Sequence, residues 1–158
     1  MPKLIVMCGP AGSGKSTWAR EYVQTHAGYS IVSTDAIREF LFGDASIQSQ
    51  PRLVFNFAYS HIADFLQEGI NVIFDAMNLR AKDRRAIIKR FKDFLNVQFV
   101  CVYCETPRKL CQERQELRER KVSSEVITKQ FERFQIPHKD EGWDSIICHQ
   151  AYDHNILI

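Results

Sequence analysis

The chain has 158 residues, 45% of them apolar and 25% charged, with 21 basic residues against 19 acidic and a formal charge of +2. A chain of this length buries about two-thirds of its unfolded surface, so one domain over 1–158 is expected to fold without staples. The near-balance of charge is not that of a dedicated polyanion binder, though it leaves room for a local basic groove. The five cysteines, Cys8, Cys101, Cys104, Cys111 and Cys148, are odd in number and mostly set in apolar runs, so they read as free thiols of a reducing compartment. Cys101-x2-Cys104 has zinc-like spacing, yet no second Cys or His pair answers it. No apolar run approaches 18 residues, and Leu4 to Cys8 is too short for a signal-peptide core. A soluble, cytoplasmic protein is expected.

Lys3 to Cys8 is an almost unbroken apolar run, the pattern of a strand buried on both faces of a parallel sheet. It feeds Gly9-x4-Gly14-Lys15-Ser16, which matches the P-loop pattern G-x-x-x-x-G-K-[ST] at every fixed place, strand before and helix after. Glycines 9, 12 and 14 let the backbone turn and approach oxygen atoms, so that successive N–H groups, backed by the following helix, form an anion nest. Gly9, Ala11, Gly12, Ser13, Gly14, Lys15, Ser16 and Thr17 are thus the expected ATP-binding stretch. Within it, Lys15 reaches the β- and γ-phosphates and Ser16 serves Mg²⁺.

The P-loop helix is expected from Lys15 to about His26, and a second short strand over Ser30 to Ser33. Asp35 follows in Asp35-Ala-Ile-Arg38, then a polar loop over Gly43 to Gln50. A long helix runs from Pro51 to Gly69 with Val54, Phe55, Ala58, Ile62, Phe65 and Leu66 on its apolar side. The third strand, Asn71 to Phe74, ends at Asp75. Next come a helix from Arg80 to about Leu95, apolar at Ile87, Ile88, Phe91 and Leu95, and a fourth strand over Val97 to Val102. A charged helix from Pro107 to Arg120, a helix from Ser123 to Phe134 and a last strand over Ser145 to Cys148 complete the chain. Strands alternating with helices predict an α/β fold with a parallel sheet covered on both faces, and a ligand site at the carboxyl ends of its strands. The P-loop, Asp35 and Asp75 each follow a strand, so they should converge there.

Asp75 has the placement of a Walker-B carboxylate, orienting water on Mg²⁺ beside Ser16; the alternative is a cap on the next helix. Asn78 either serves the same loop or a substrate, or is a plain turn residue. Phosphoryl transfer to an alcohol needs a base for the hydroxyl proton, and Asp35 is placed for it, unless it merely N-caps the helix over 36–42. Arg38, a turn later, would hold an anionic part of the acceptor. Arg114 and Arg118, at i and i+4, sit with Lys109, Arg120 and Lys121 on the charged helix. They are either lid arginines for the transferred phosphate or, interleaved with Glu113, Glu116 and Glu119, a solvated salt-bridged face. Arg80, Lys82, Arg84, Arg85, Lys89, Arg90 and Lys92 read first as the wet face of an amphipathic helix, and second as a nucleic-acid track. The histidines show no ligand spacing.

CGPAGSGKSTWAREY, STDAIRE, VIFDAMNL, Arg114-x3-Arg118 and FERFQIPHKDEGWDSII together resemble the kinase module of polynucleotide 5'-hydroxyl kinases and the wider AAA_33-type group of small P-loop kinases. The resemblance covers essentially the whole chain in order. It implies a P-loop NTPase three-layer sandwich of four to five parallel strands under a helical lid, placed roughly at 107–134. It further implies Asp35 as general base, with Lys15 and Arg118 as its catalytic partners. Arg114 and Arg118 would be ATP clamps, Arg38 the ligand of an acceptor-side phosphate, and Asp75 a neighbour of acceptor or metal. ATP and Mg²⁺ are the implied cofactors, and a DNA or RNA 5'-OH end the implied acceptor. Two residues depart from the phage-type pattern: Thr34 replaces a basic residue before the base, and Met77 replaces Thr before Asn78. No phosphatase or ligase segment accompanies the module. These departures leave ATP-dependent transfer intact and open the acceptor to a small metabolite or nucleoside; a nucleotide-binding regulatory or toxin-like module is the reading from another class.

Overall fold

In a computed structural model, which describes residues 1–93, 96–119 and 121–150, the chain order is β1 (Lys3–Cys8), α1 (Lys15–Thr25), β2 (Tyr29–Ser33), α2 (Thr34–Phe42), α3 (Pro51–Gln67), β3 (Asn71–Asp75), α4 (Ala81–Lys92), β4 (Gln98–Glu105), α5 (Arg108–Glu116), α6 (Ser124–Arg133), a 3₁₀ turn (Lys139–Glu141) and β5 (Ser145–Gln150). The five strands pair in the order β2-β3-β1-β4-β5. Every pairing is parallel, and β1 sits between β3 (Val6 opposite Phe74) and β4 (Val6 opposite Cys101). A central strand of this kind is apolar throughout because helices cover both faces.

Period-2 alternation sorts the core into two clusters. Leu4, Val6, Cys8, Val72, Phe74, Phe99 and Cys101 face Val54, Ala58 and Ile62 of α3 and Ile87, Ile88 and Phe91 of α4. Ile5, Met7, Ile73, Val100, Val102 and Cys104 face Ala19 of α1, with Trp18, Tyr22 and Val23 beside it. Each fully buried aliphatic or phenyl side chain contributes about 1.5–3 kcal/mol, so helix stability here comes from the sheet rather than from propensity. The same alternation sets Cys101 and Cys104 on opposite faces, where they cannot share a metal ion. Cys8, Cys101, Cys104 and Cys111 are buried, and burial pushes the Cys104 thiol up to about 12. Among the described residues no helix is long and apolar enough to cross a membrane.

The expected elements are all present, with differences at their ends. β4 and β5 run on to Glu105 and Gln150, because each pairs with its neighbour as far as Glu105 opposite Gln150. The charged helix expected to reach Arg120 stops at Glu116. Only Cys111 and Gln115 of α5 are buried, and Leu117 is 89% exposed, so nothing apolar carries the helix onward. Arg118 therefore lies in the turn after α5, not one helical turn from Arg114 along the same face. Arg120 and Leu95 lie outside the described residues.

The basic face of α4 needs the larger correction. Arg84 is fully buried rather than wet, its guanidinium paired with Glu141. Of the others, Arg80 pairs with Asp83, Arg85 approaches Asp140 at 3.6 Å, and Arg90 lies 4.8 Å over the Tyr59 ring.

Candidate active site

The loop after β1 is shaped by backbone geometry. Gly14 caps α1 in the left-handed region (φ 99°) and offers no side chain, so the first N–H groups of α1 stay open to an anion. Gly9 N–H donates to Met77 O at 2.9 Å, tying the loop to the segment after β3. Lys15 is 8% exposed, and its Nζ donates to Pro10 O at 2.8 Å. Burial lowers the Lys15 pKa below the usual lysine value, while the carboxylates of Asp75 and Asp35 oppose the shift. Ser16 Oγ donates to Asp75 Oδ2 at 2.6 Å. Ser13 Oγ, fully buried in the loop, has no hydrogen-bond partner among the described residues.

These features suit a magnesium nucleotide. A buried ammonium that has turned back onto a carbonyl, an uncapped helix start and a hydroxyl–carboxylate pair of hard oxygen donors match a polyphosphate with Mg²⁺. Asp75 does not cap the next helix, since α4 begins only at Ala81 with Arg80 at its N-cap.

On the β2 side, Ser33 is the residue that caps α2, accepting from Ala36 N–H at 3.2 Å. Asp35 therefore sits inside the first turn of α2 and is not its N-cap. Its side chain is 59% exposed and pairs with Arg38 Nη1 at 3.0 Å, while Arg38 is itself buried. The register sets Ser33 opposite Asp75, so the chain reaches Asp35 beside the Ser16–Asp75 pair. Asn78 is more than a plain turn residue: its side chain bonds the loop it belongs to. Its backbone is left-handed (φ 47°), it is buried, and its Nδ2 donates to Met7 O at 2.8 Å and Ala76 O at 3.3 Å. Its carboxamide clamps the end of β1 to the loop after β3.

Side chains from Thr106, α5 and α6 bond the P-loop from outside. Arg114 Nη1 donates to Gly12 O (2.9 Å), Thr106 Oγ1 to Ser13 O (2.8 Å), and Ala11 N–H donates to Gln130 Oε1 on α6 (2.9 Å). Arg118 reaches the same place from its turn: with Arg114, Gly12, Gly14 and Thr17 it lines a cavity of about 430 Å³ beside the loop. Arg114 and Arg118 thus meet at the P-loop although they do not share a helical face. Thr106 and Gln130 escaped the sequence reading. Gln130 does carry a signal, since it lies three residues after Ile127 and one before Phe131, on the buried side of α6.

The closeness of α5 to the loop makes Gly12 obligatory. Its φ is +79°, and a Cβ there would stand 2.8 Å from Cys111 O and 3.1 Å from Gln115 Nε2. Gly12→Ala should both strain the loop and push α5 away, weakening MgATP binding about 5- to 150-fold, for a cost of about 1–3 kcal/mol. Calorimetric titration against the wild type measures it; unchanged affinity would show that the lid need not sit on Gly12.

Residues 4–137 match a family profile described as "AAA domain", AAA_33. The chain belongs to this family. The AAA_33 chain is 29% identical over 146 residues to an L-seryl-tRNA(Sec) kinase of Methanococcus maripaludis, a match covering 89% of this chain and 56% of that protein. Among solved structures, one chain of the Pnkp1/Rnl/Hen1 RNA repair complex superposes with a TM-score of 0.72 at 25% identity, over 84% of this chain and 43% of that one. Kti12 of Chaetomium thermophilum, solved with ADP-AlF3, superposes with a TM-score of 0.72 at 18% identity, over 97% and 92% of the two chains, and speaks for the fold alone. The chain thus spans about half the length of the tRNA kinase and less than half of the RNA-repair chain. The fold is that of P-loop kinases.

Proposed function

We propose that this AAA_33 chain transfers the γ-phosphate of ATP, with Mg²⁺, to a hydroxyl group, and that the hydroxyl is the 5'-OH of a DNA or RNA end. The observation that carries the reading is Asp35, a half-open carboxylate held by Arg38 at 3.0 Å on the lip beside the Ser16–Asp75 pair. Asp35 takes the hydroxyl proton as that oxygen bonds to the γ-phosphorus and the bond to the bridging oxygen of ADP breaks. Lys15 and the loop amides hold the departing diphosphate, and Arg118, with Arg114, offsets charge spread over the γ-oxygens. Mg²⁺, where bound by Ser16 and Asp75, supplies further neutralisation of the β- and γ-oxygens.

For the acceptor, Arg38 offers a planar donor that suits a phosphate next to the reacting hydroxyl, as at a polynucleotide end. The similarity to one chain of an RNA repair complex supports this choice. A second reading, a hydroxyl carried by an aminoacyl-tRNA, is favoured by the similarity to the seryl-tRNA kinase.

The test is transfer of labelled γ-phosphate from MgATP to two matched oligonucleotides, one ending in 5'-OH and one in 5'-phosphate. Label on the 5'-OH strand alone is the expected result, with transfer falling as salt releases the phosphate contacts. Label on neither strand, with seryl-tRNA or a small alcohol accepting it instead, would overturn the polynucleotide acceptor and leave the kinase standing.

A further inference from the structure

We propose that one exposed flank of α4, formed by Lys82, Arg85, Lys89 and Lys92, is a docking track for the sugar–phosphate backbone of the nucleic-acid strand whose end enters the site. The proposal rests on the reading of the acceptor as a polynucleotide, and gives that strand a second point of attachment outside the reacting centre.

The charge of the chain is segregated. Residues 80–92 hold seven basic residues against one acidic, Asp83, whereas the remaining residues hold 14 basic against 18 acidic. Without this helix and its N-cap the chain would be acidic. The buried Arg84–Glu141 pair accounts for only one of the seven. Lys82, Arg85, Lys89 and Lys92 stand at i, i+3, i+7 and i+10, one stripe along the helix, and all four are exposed. The stripe lies beside the buried face, which takes residues 84, 87, 88 and 91.

A helix that is merely solvated interleaves its charges, as α5 does by setting Glu113 and Glu116 among Arg108, Lys109 and Arg114. Along the α4 stripe every neighbour has the same sign, so the successive pairs repel. The helix dipole favours Lys89 and Lys92 near the carboxyl end, but it disfavours Lys82 in the first turn. Lys82, Lys89 and Lys92 form no ion pair with a described residue, and Arg85 only approaches the exposed Asp140 at 3.6 Å. A polyanion laid along the stripe removes the repulsion.

The stripe also starts where the site ends. Met77 O accepts from Gly9 N–H of the P-loop, and α4 begins four residues later at Ala81. From Lys82 to Lys92 the helix then advances about 15 Å, room for several consecutive phosphates of one strand. Contacts of this kind position a strand without reading its sequence.

The test is fluorescence anisotropy over a salt series, on the wild type and on the triple variant Lys82→Gln/Lys89→Gln/Lys92→Gln. The probes are two single strands with a free 5'-OH and a 3' label, one of about 20 nucleotides and one of about four. Loss of three phosphate contacts should flatten the slope of log affinity against log salt by about 2 for the long strand, and cut its affinity about tenfold or more at low salt. The short strand, which reaches only Asp35 and Arg38, should bind and accept phosphate as with the wild type, and unchanged MgATP affinity certifies the fold. An unchanged slope, or an equal loss for both strands, overturns the track. Tighter binding of a polyglutamate of the same charge overturns the choice of partner. A wild type that holds the long strand through these lysines yet labels neither 5'-OH leaves the basic surface standing and overturns the acceptor reading. A wild type that labels the short strand and binds the long one no better does the reverse.

Discussion

Asp35→Asn is expected to lower phosphoryl transfer by about 10²- to 10⁴-fold, the usual worth of a positioned general base, while MgATP binds as before. The substitution is close to isosteric, and the side chain is 59% exposed, so neither packing nor desolvation accounts for a loss of that size. The carboxamide still reaches Arg38, because its oxygen accepts from Nη1 as the carboxylate does at 3.0 Å. What it cannot do is take a proton. A kcat that collapses with KM for ATP unchanged therefore isolates the proton-transfer role. Arg38→Lys separates the partner: it keeps the charge but not the planar donor fork, so it should raise KM for a phosphate-bearing acceptor more than it lowers kcat. Normal turnover in Asp35→Asn would move the base elsewhere on the lip, with Asp75, bonded to Ser16, a carboxylate that could inherit it.

How much of this was legible in the sequence depended on how local the determinant is. The P-loop, β1 and the β3–Asp75 junction are contiguous patterns, and the five parallel strands appear where apolar runs alternate with amphipathic ones. Which residue caps α2 is set by one hydroxyl–amide bond, Ala36 N–H to Ser33 Oγ, that spacing alone does not decide. Arg118 shows another limit. A continuous helix would have put it on one face with Arg114; a turn after Glu116 delivers it to the same cavity by another path. Arg84 was hidden by composition, set among six other basic residues. Its position was not hidden: residues 84, 87, 88 and 91 form the i, i+3, i+4, i+7 stripe of α4, and Ile87, Ile88 and Phe91 are all buried. A charge in the apolar stripe demands a buried partner, and Glu141, 57 residues on, could not be paired with it from periodicity.

Arg84→Met is expected to destabilise the fold by about 3–5 kcal/mol, the cost of leaving one member of a buried ion pair alone. Arg84 Nε and Nη2 donate to Glu141 Oε1 and Oε2 at 2.7 and 3.0 Å, and both side chains are essentially inaccessible. The same guanidinium donates to Asn78 O and Leu79 O, each at 2.9 Å, and to Gln135 O at 2.8 Å. It therefore pins the loop after β3 and the segment after α6 to one point, and through Met77 O and Gly9 N–H it supports the P-loop. The double variant Arg84→Met with Glu141→Leu should recover part of the loss, because an apolar pair replaces a desolvated ionic one. Recovery should stay incomplete, since Gln135 O loses the Arg84 donor, and Asn78 O and Leu79 O keep only Cys8 Sγ and Gln135 N–H. The pH dependence gives an independent reading. Burial alone would raise the Glu141 pKa, but hydrogen bonds from Arg84, Trp143 Nε1 and His138 N–H outweigh it and hold the carboxyl below its usual value. A folded pKa depressed in this way contributes stability that is present above the unfolded value, about 4.3, and is lost as pH falls through the lower folded value. Denaturant titrations of the wild type at pH 7 and stepwise down to pH 3 should show that loss, and Glu141→Gln should lack it while starting from a lower stability. A Glu141→Gln chain as stable as wild type at pH 7, with the same acid limb, would show that the pair does not anchor the loop, and the support of the P-loop would have to come from Asn78 alone.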